Sequence, residues 1–242
     1  MRLILFAAIA AMAAGGTASA ASEESQETNS VLLLARQARS EFEARLHDQF
    51  AEVHPHSEMV GQPFTVTLPV QEKRGSFAFV GTYDRGVLRF SMGNFNNAFS
   101  VQDAIVSASS RVAQNSFGAS VEVTSDVVDS VNIVAVDLPR GEAEYIQVGR
   151  QKVKVGDNVF SWSKDIDGPH AKLIYQGSRA VIDGQFAAKP DDGRVVHCGN
   201  SRREAKMSDP HEVITKYCNV SVRINRITFL SGDGTVLKEW RK

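Results

Sequence analysis

Phe64-Thr65-Val66-Thr67-Leu68-Pro69-Val70 alternates large apolar residues with Thr and Pro. A period of two puts Phe64, Val66, Leu68 and Val70 on one face of a β-strand. Pro69 has no N–H to give to a ladder, so this strand is expected at the edge of a sheet.

The residues just before it keep a different period. Over 31–53, Leu34, Ala38, Phe42, Leu46 and Phe50 recur every fourth residue with Val31 and Ala35 beside them, which predicts an amphipathic helix. Ser30 can cap it, Arg39 with Glu43 and Glu41 with Arg45 stand four apart as supporting ion pairs, and Pro55 stops it. A single β-rich domain over 59–242 is expected to follow.

Towards the C-terminus, residues 76–81 and 87–92 flank Tyr83-Asp84-Arg85-Gly86 and predict a hairpin. Further strands are expected at 121–124, 131–138, 144–148, 151–155, 159–163, 171–176, 180–185, 219–224, 227–230 and 235–240, with Ser231-Gly232-Asp233-Gly234 as the last turn. Two helices are predicted to interrupt the series. One spans 100–113, where Val101, Ile105, Ala108 and Val112 share a helical face behind a Ser100/Asp103 capping box. The other spans 210–217, with Asp209 as cap, Pro210 at the first helical position and Glu212 three after the cap.

Many short strands with few helices point to an antiparallel sandwich or a partly open barrel, mainly β, with an N-terminal amphipathic α-helix and one or two short helices. The helix is expected to cover one face or end of the sheet. The same stripe would serve to pair two chains, so the expectation is a monomer or a dimer through the N-terminal helix. No period of 20–50 residues repeats, which leaves solenoids and propellers unsupported.

Residues 1–20 read as an export signal, with Arg2 as a basic start, an apolar run over 3–14 and the small residues Ala18-Ser19-Ala20. That run is too short to cross a bilayer, which takes about 20 apolar residues, so no membrane span is expected after cleavage near Ala20. The acidic stretch 21–30, with Glu23, Glu24 and Glu27, reads as a disordered leader. A periplasmic or extracellular location follows. With 27 basic against 28 acidic residues and a net charge of −1, the chain offers no field for nucleic acid, and none is expected as a partner.

Export decides how Cys198 and Cys218, the two cysteines, are read. In an oxidising compartment they are expected to pair, closing a loop of roughly 20 residues worth about 3 kcal/mol by the chain-entropy estimate. The rival reading makes Cys198 a nucleophile with His211 as its base.

Among candidate binding residues, Asn94, Phe95, Asn96 and Asn97 with Phe99 combine amide donors with aromatic faces, as sites for glycans or small apolar ligands do. His47, His54 and His56 form a histidine cluster in which His54 and His56 have spacing for zinc or copper. No established ligand motif completes it, and no cofactor is expected. Asp165-Ile166-Asp167-Gly168 and Asp191-Asp192-Gly193 read as turns, short of a calcium loop. Ser161 and Lys164 copy a serine–lysine catalytic spacing but fall on opposite faces of a predicted strand. The function these readings favour is binding, of a small apolar or glycan ligand or of an envelope protein. The alternative is an envelope hydrolase with a site among His170, His197 and His211.

Overall fold

The computed structural model describes residues 30–71, 79–92, 97–114, 118–138, 144–148, 151–155, 160–206 and 208–242. The predicted export signal, the leader up to residue 29, and Asn94, Phe95 and Asn96 lie outside the described residues. None of the described helices is long and apolar enough to cross a membrane.

Helix α1, Ser30–His47, buries Val31, Leu34, Ala35 and Ala38. It stops short of Val53, because the fourfold pattern outruns the sheet beneath it: Leu46 is 61% and Phe50 82% exposed. Asp48 then turns the chain, accepting the Phe50 N–H at 2.9 Å. Strand β1, Pro63–Pro69, shows the predicted alternation, every second residue being buried. Among the described residues it pairs only with β9, Arg179–Phe186, antiparallel from Pro63↔Gln185 to Pro69↔Arg179, and so forms a sheet edge.

Strands β2, Phe79–Asp84, and β3, Val87–Met92, form the expected hairpin. Arg85 and Gly86 at its tip take φ of 49° and 81°, the left-handed pair that matches strand twist in a two-residue turn. Strand β8, Phe160–Asp165, completes a three-stranded sheet in the order β2-β3-β8. Strands β6, Glu144–Val148, and β7, Gln151–Val155, pair with each other.

Three expectations are overturned. Residues 100–113 lie not in a helix but in β4, Ala98–Gln114, a strand of 17 residues. The ladder between β4 and β5, Ser120–Ala135, shifts register at Ser100/Gln102 and again at Ile105/Ser107. Each extra residue converts an alternating pattern into a local spacing of three or four. Ile105, Ala108 and Val112 face Val128, Asp126 and Glu122, so they share one face of a bulged strand as they would one face of a helix.

Residues 210–217 are also extended, belonging to β11, His211–Leu230. Neighbours on both sides, together with β-branched Val213, Ile214 and Thr215, override the capping signal. Conversely, 171–176 belong to a helix, α2, Gly168–Tyr175, capped by the Asp167 side chain, which accepts the His170 N–H at 3.0 Å. Pro169 in its first turn fits the missing donor there.

The 20-residue β11 organises the large sheet. Its first half lies between β10, Val196–Arg203, and β5, and its second half between β9 and β12, Val236–Arg241. The order is β1-β9-β11-β5-β4, with β10 and β12 also on β11, giving a curled open sheet of seven strands. Among the described residues the strand pairings are antiparallel as expected except one: β5 runs parallel to β11 from His211↔Thr124 to Val222↔Ala135.

The small sheet packs on the large one through aromatic rings. Phe79 meets Phe229 at 4.7 Å between centroids, Phe160 meets Trp240 at 5.3 Å, and Phe99 meets Phe160 at 6.0 Å. Helix α1 covers the part of the large sheet around β10 and β11. The first part of its apolar stripe, Val31, Leu34, Ala35 and Ala38, is thereby used within the chain, whereas Leu46 and Phe50 stay exposed.

Candidate cleft between helix α1 and strand β10

Because α1 is longer than the surface it seals, its last two turns overhang β10. The segment after the helix folds back beneath this overhang and is pinned at His56, which is 2% exposed and takes a left-handed φ of 54°. His56 Nε2 lies 3.2 Å from Glu41 Oε2 on α1, and Nδ1 lies 3.6 Å from Glu58 Oε1. A backbone bond from Val195 N–H to the Pro55 carbonyl, 3.1 Å, ties the same segment to the start of β10.

These three walls enclose a cleft of about 320 Å³. Buried Ala38, Val196 and Cys198 and half-buried Phe42 and Val53 make its apolar floor. Exposed Arg45, His54 and His197 and half-buried Arg194 stand around it. Glu41 is the one acid among the lining residues, and its carboxylate is engaged by His56. Among the described residues neither the Arg45 nor the Arg194 guanidinium group has a carboxylate partner, while the Arg194 backbone N–H donates to Asp192 Oδ1 at 3.1 Å. The cleft therefore joins apolar surface to net positive charge.

Cys198 and Cys218 are bonded, with an S–S distance of 2.06 Å, at directly opposed positions of the β10–β11 ladder. Cys198 is 8% exposed and lines the cleft, whereas Cys218 is fully buried under α1. Arg39 Nε donates to Cys218 Sγ at 3.2 Å, and its Nη2 lies 3.0 Å from Asp129 Oδ1. The Ala35 carbonyl oxygen stands 3.5 Å from the same sulfur. One turn further along α1, Glu43 pairs with Lys216 at 3.1 Å.

The residues singled out from sequence divide unevenly. His54 lines the cleft, His56 holds its wall, and His47 ends α1. Among the described residues no three His, Cys, Asp or Glu side chains gather as metal ligands. Asn97, with φ of 62° and 6% exposure, donates from Nδ2 to the Leu138 carbonyl at 2.7 Å, and Phe99 is fully buried. Asn97 thus ties the start of β4 to the segment after β5, and Phe99 packs against Phe160 of β8.

The three histidines of the hydrolase reading lie on different elements. His170 bonds Asp167 at 2.8 Å, His211 Nε2 bonds Asp126 at 2.9 Å with Arg203 Nη2 3.3 Å from its Nδ1, and His197 lies in the cleft. Beside His211, the buried carboxylate of Glu212 is held below the usual range by the Ser125 hydroxyl, 2.8 Å away, and by Arg202. It acts as a structural anion.

A second recess of about 300 Å³ is lined by Gly81, Tyr83, Leu88, Gly168, Ala171, Lys172 and Tyr175. Sequence reading missed Arg45, Val53, Arg194 and Val196 as a group, because they converge only when α1 overhangs β10. The exposed end of the helical stripe at Leu46 and Phe50 was the available signal. Comparison of the chain with protein-family models, curated proteins and solved structures finds no match, so its function is read from this geometry alone.

Proposed function

We propose that the chain is an exported binding protein that holds a small amphiphile, an apolar body with an anionic head, in the cleft between α1 and β10. The observation that carries this reading is the pairing of an apolar floor with Arg45 and Arg194 in about 320 Å³, within the size range of small-molecule sites. The apolar body covers Phe42, Val53 and Val196, and the head meets the two guanidinium groups, whose planar forks suit carboxylates and phosphates. The disulfide and the signal-like N-terminus support export.

Medium-chain carboxylates test it. Decanoate is expected to raise the unfolding midpoint, by about 2.7 kcal/mol of stabilisation at a hundredfold excess over Kd. Decanol should do less. The Arg45→Ala/Arg194→Ala double variant should bind decanoate at least about tenfold more weakly in calorimetric titration, in line with losing charge-assisted hydrogen bonds. Equal stabilisation by the alcohol and the acid, or no heat with either, overturns the reading.

A further inference from the structure

The geometry points to a second chemistry in the same cleft: the Cys198–Cys218 disulfide is an exchange site for a small, negatively charged thiol. Three observations converge on it. Cys198 lines a cleft in which the Arg45 and Arg194 guanidinium groups have no carboxylate partner among the described residues, so an anionic thiol is drawn towards that sulfur and not towards its partner. Cys218 is fully buried and receives the Arg39 Nε–H at 3.2 Å, so it is built as the leaving sulfur. The other end of the same guanidinium, Arg39 Nη2, stands 3.0 Å from Asp129 Oδ1 as an ion pair, so the side chain has a charge partner beside the sulfur.

A purely structural crosslink has no need of this asymmetry. Cys198 and Cys218 are already neighbours in a ladder that runs from Val196↔Val220 to Arg203↔Val213.

The step balances as an ordinary exchange. The incoming thiol loses its proton to solvent, and its thiolate attacks Cys198 Sγ in line with the S–S bond. A new bond forms to Cys198, the Cys198–Cys218 bond breaks, and its electron pair goes to Cys218 Sγ beside Arg39. A second thiolate then attacks the small-molecule sulfur of the mixed disulfide and releases Cys198 as thiolate. Two small thiols are oxidised to their disulfide, and one protein disulfide is reduced.

The test uses the full-length oxidised protein under native conditions, with glutathione as the anionic thiol and cysteamine as the cationic one, quenched by alkylation and mapped by peptide mass. Expected are a rate that rises linearly with thiol concentration, a first mixed disulfide on Cys198, and faster reaction with glutathione at equal thiolate concentration. Arg39→Met should slow exchange by roughly fivefold, since a less stabilised thiolate leaves more slowly. Should that variant not fold, the concentration dependence and peptide map of the wild type decide alone. A rate that levels off at the speed of global unfolding, equal rates for the two thiols, or first labelling of Cys218 overturns the proposal. Decanoate is absent throughout, so exchange and carboxylate binding stand or fall separately.

Discussion

At the scale of single residues, the turn Ser231–Gly234 is legible as a turn from its Gly and Asp content, but not for what Asp233 does there. The Ser231 hydroxyl donates to Asp233 Oδ1 at 2.5 Å and the Thr235 N–H donates to it at 2.9 Å. Both bonds favour the ionised carboxyl, and its pKa is pulled down from 3.8 to about 2. A depressed acid contributes stability that is complete above its unfolded value and lost as pH falls through its folded one. Asp233→Asn is therefore expected to be less stable than wild type at neutral pH, with the gap closing between 3.8 and about 2. Urea midpoints across that window check it, and a gap constant with pH would refute it. Gly184 carries a different constraint. A Cβ there would stand 2.1 Å from the Arg223 carbonyl oxygen and 2.8 Å from the Phe64 ring. It sits on β9 opposite the point where β11 shifts register, between Ile224 and Arg226. Gly184→Ala must push the β11 backbone away, with an expected cost of about 1–3 kcal/mol in equilibrium unfolding.

At the scale of elements, legibility followed the regularity of the period. Helix α1 and strand β1 keep one period throughout and read correctly in type, and the β2–β3 hairpin is marked by its turn. Strand β4 defeated the same reasoning because two register shifts remake its alternation into helical spacing. Strand β11 defeated it because Asp209, Pro210 and Glu212 carry a helix-start signal locally, while Glu212 in the fold is taken by Ser125 and Arg202. Helix α2 is legible at Asp167 and Pro169, but the sequence reads 165–168 as a turn and 171–176 as a strand, and the structure overturns the strand. The cleft is the least legible: α1 is recognisable by itself, but the returning segment and β10 become walls only when they are placed beneath it. The uneven burial along β4 can be measured. Phe99 is fully buried and packs on Phe160, whereas Val112 is 74% exposed on the same strand. Phe99→Ala should cost about 3–5 kcal/mol by loss of transfer energy and creation of a cavity. Val112→Thr should change stability by less than about 0.5 kcal/mol. Similar losses at both positions would mean that the outer part of β4 is covered.

At the scale of the whole molecule, the question is whether two sheets held by aromatic rings unfold as one unit. Phe229 of the large sheet touches both Phe79 of the small one, at 4.7 Å, and Trp240, at 4.8 Å. Trp240 in turn meets Phe160 of the small sheet at 5.3 Å. Neither sheet can open without exposing rings that the other buries, and this coupling favours a single transition over independent melting. The chain supplies its own probes, since its two tryptophans lie on different sheets: Trp162 on β8, 5.7 Å from the Phe90 ring, and Trp240 on β12. Trp162→Phe leaves emission from the large sheet, and Trp240→Phe leaves it from the small one. Within each variant, the urea midpoint from fluorescence is expected to coincide with that from far-ultraviolet circular dichroism. Adding Phe229→Ala should lower both midpoints together, with a loss of about 3–5 kcal/mol for a large buried ring. If Trp162 instead reports a midpoint displaced from the dichroism signal, the small sheet unfolds as a separate body and the aromatic seam is a contact without coupling.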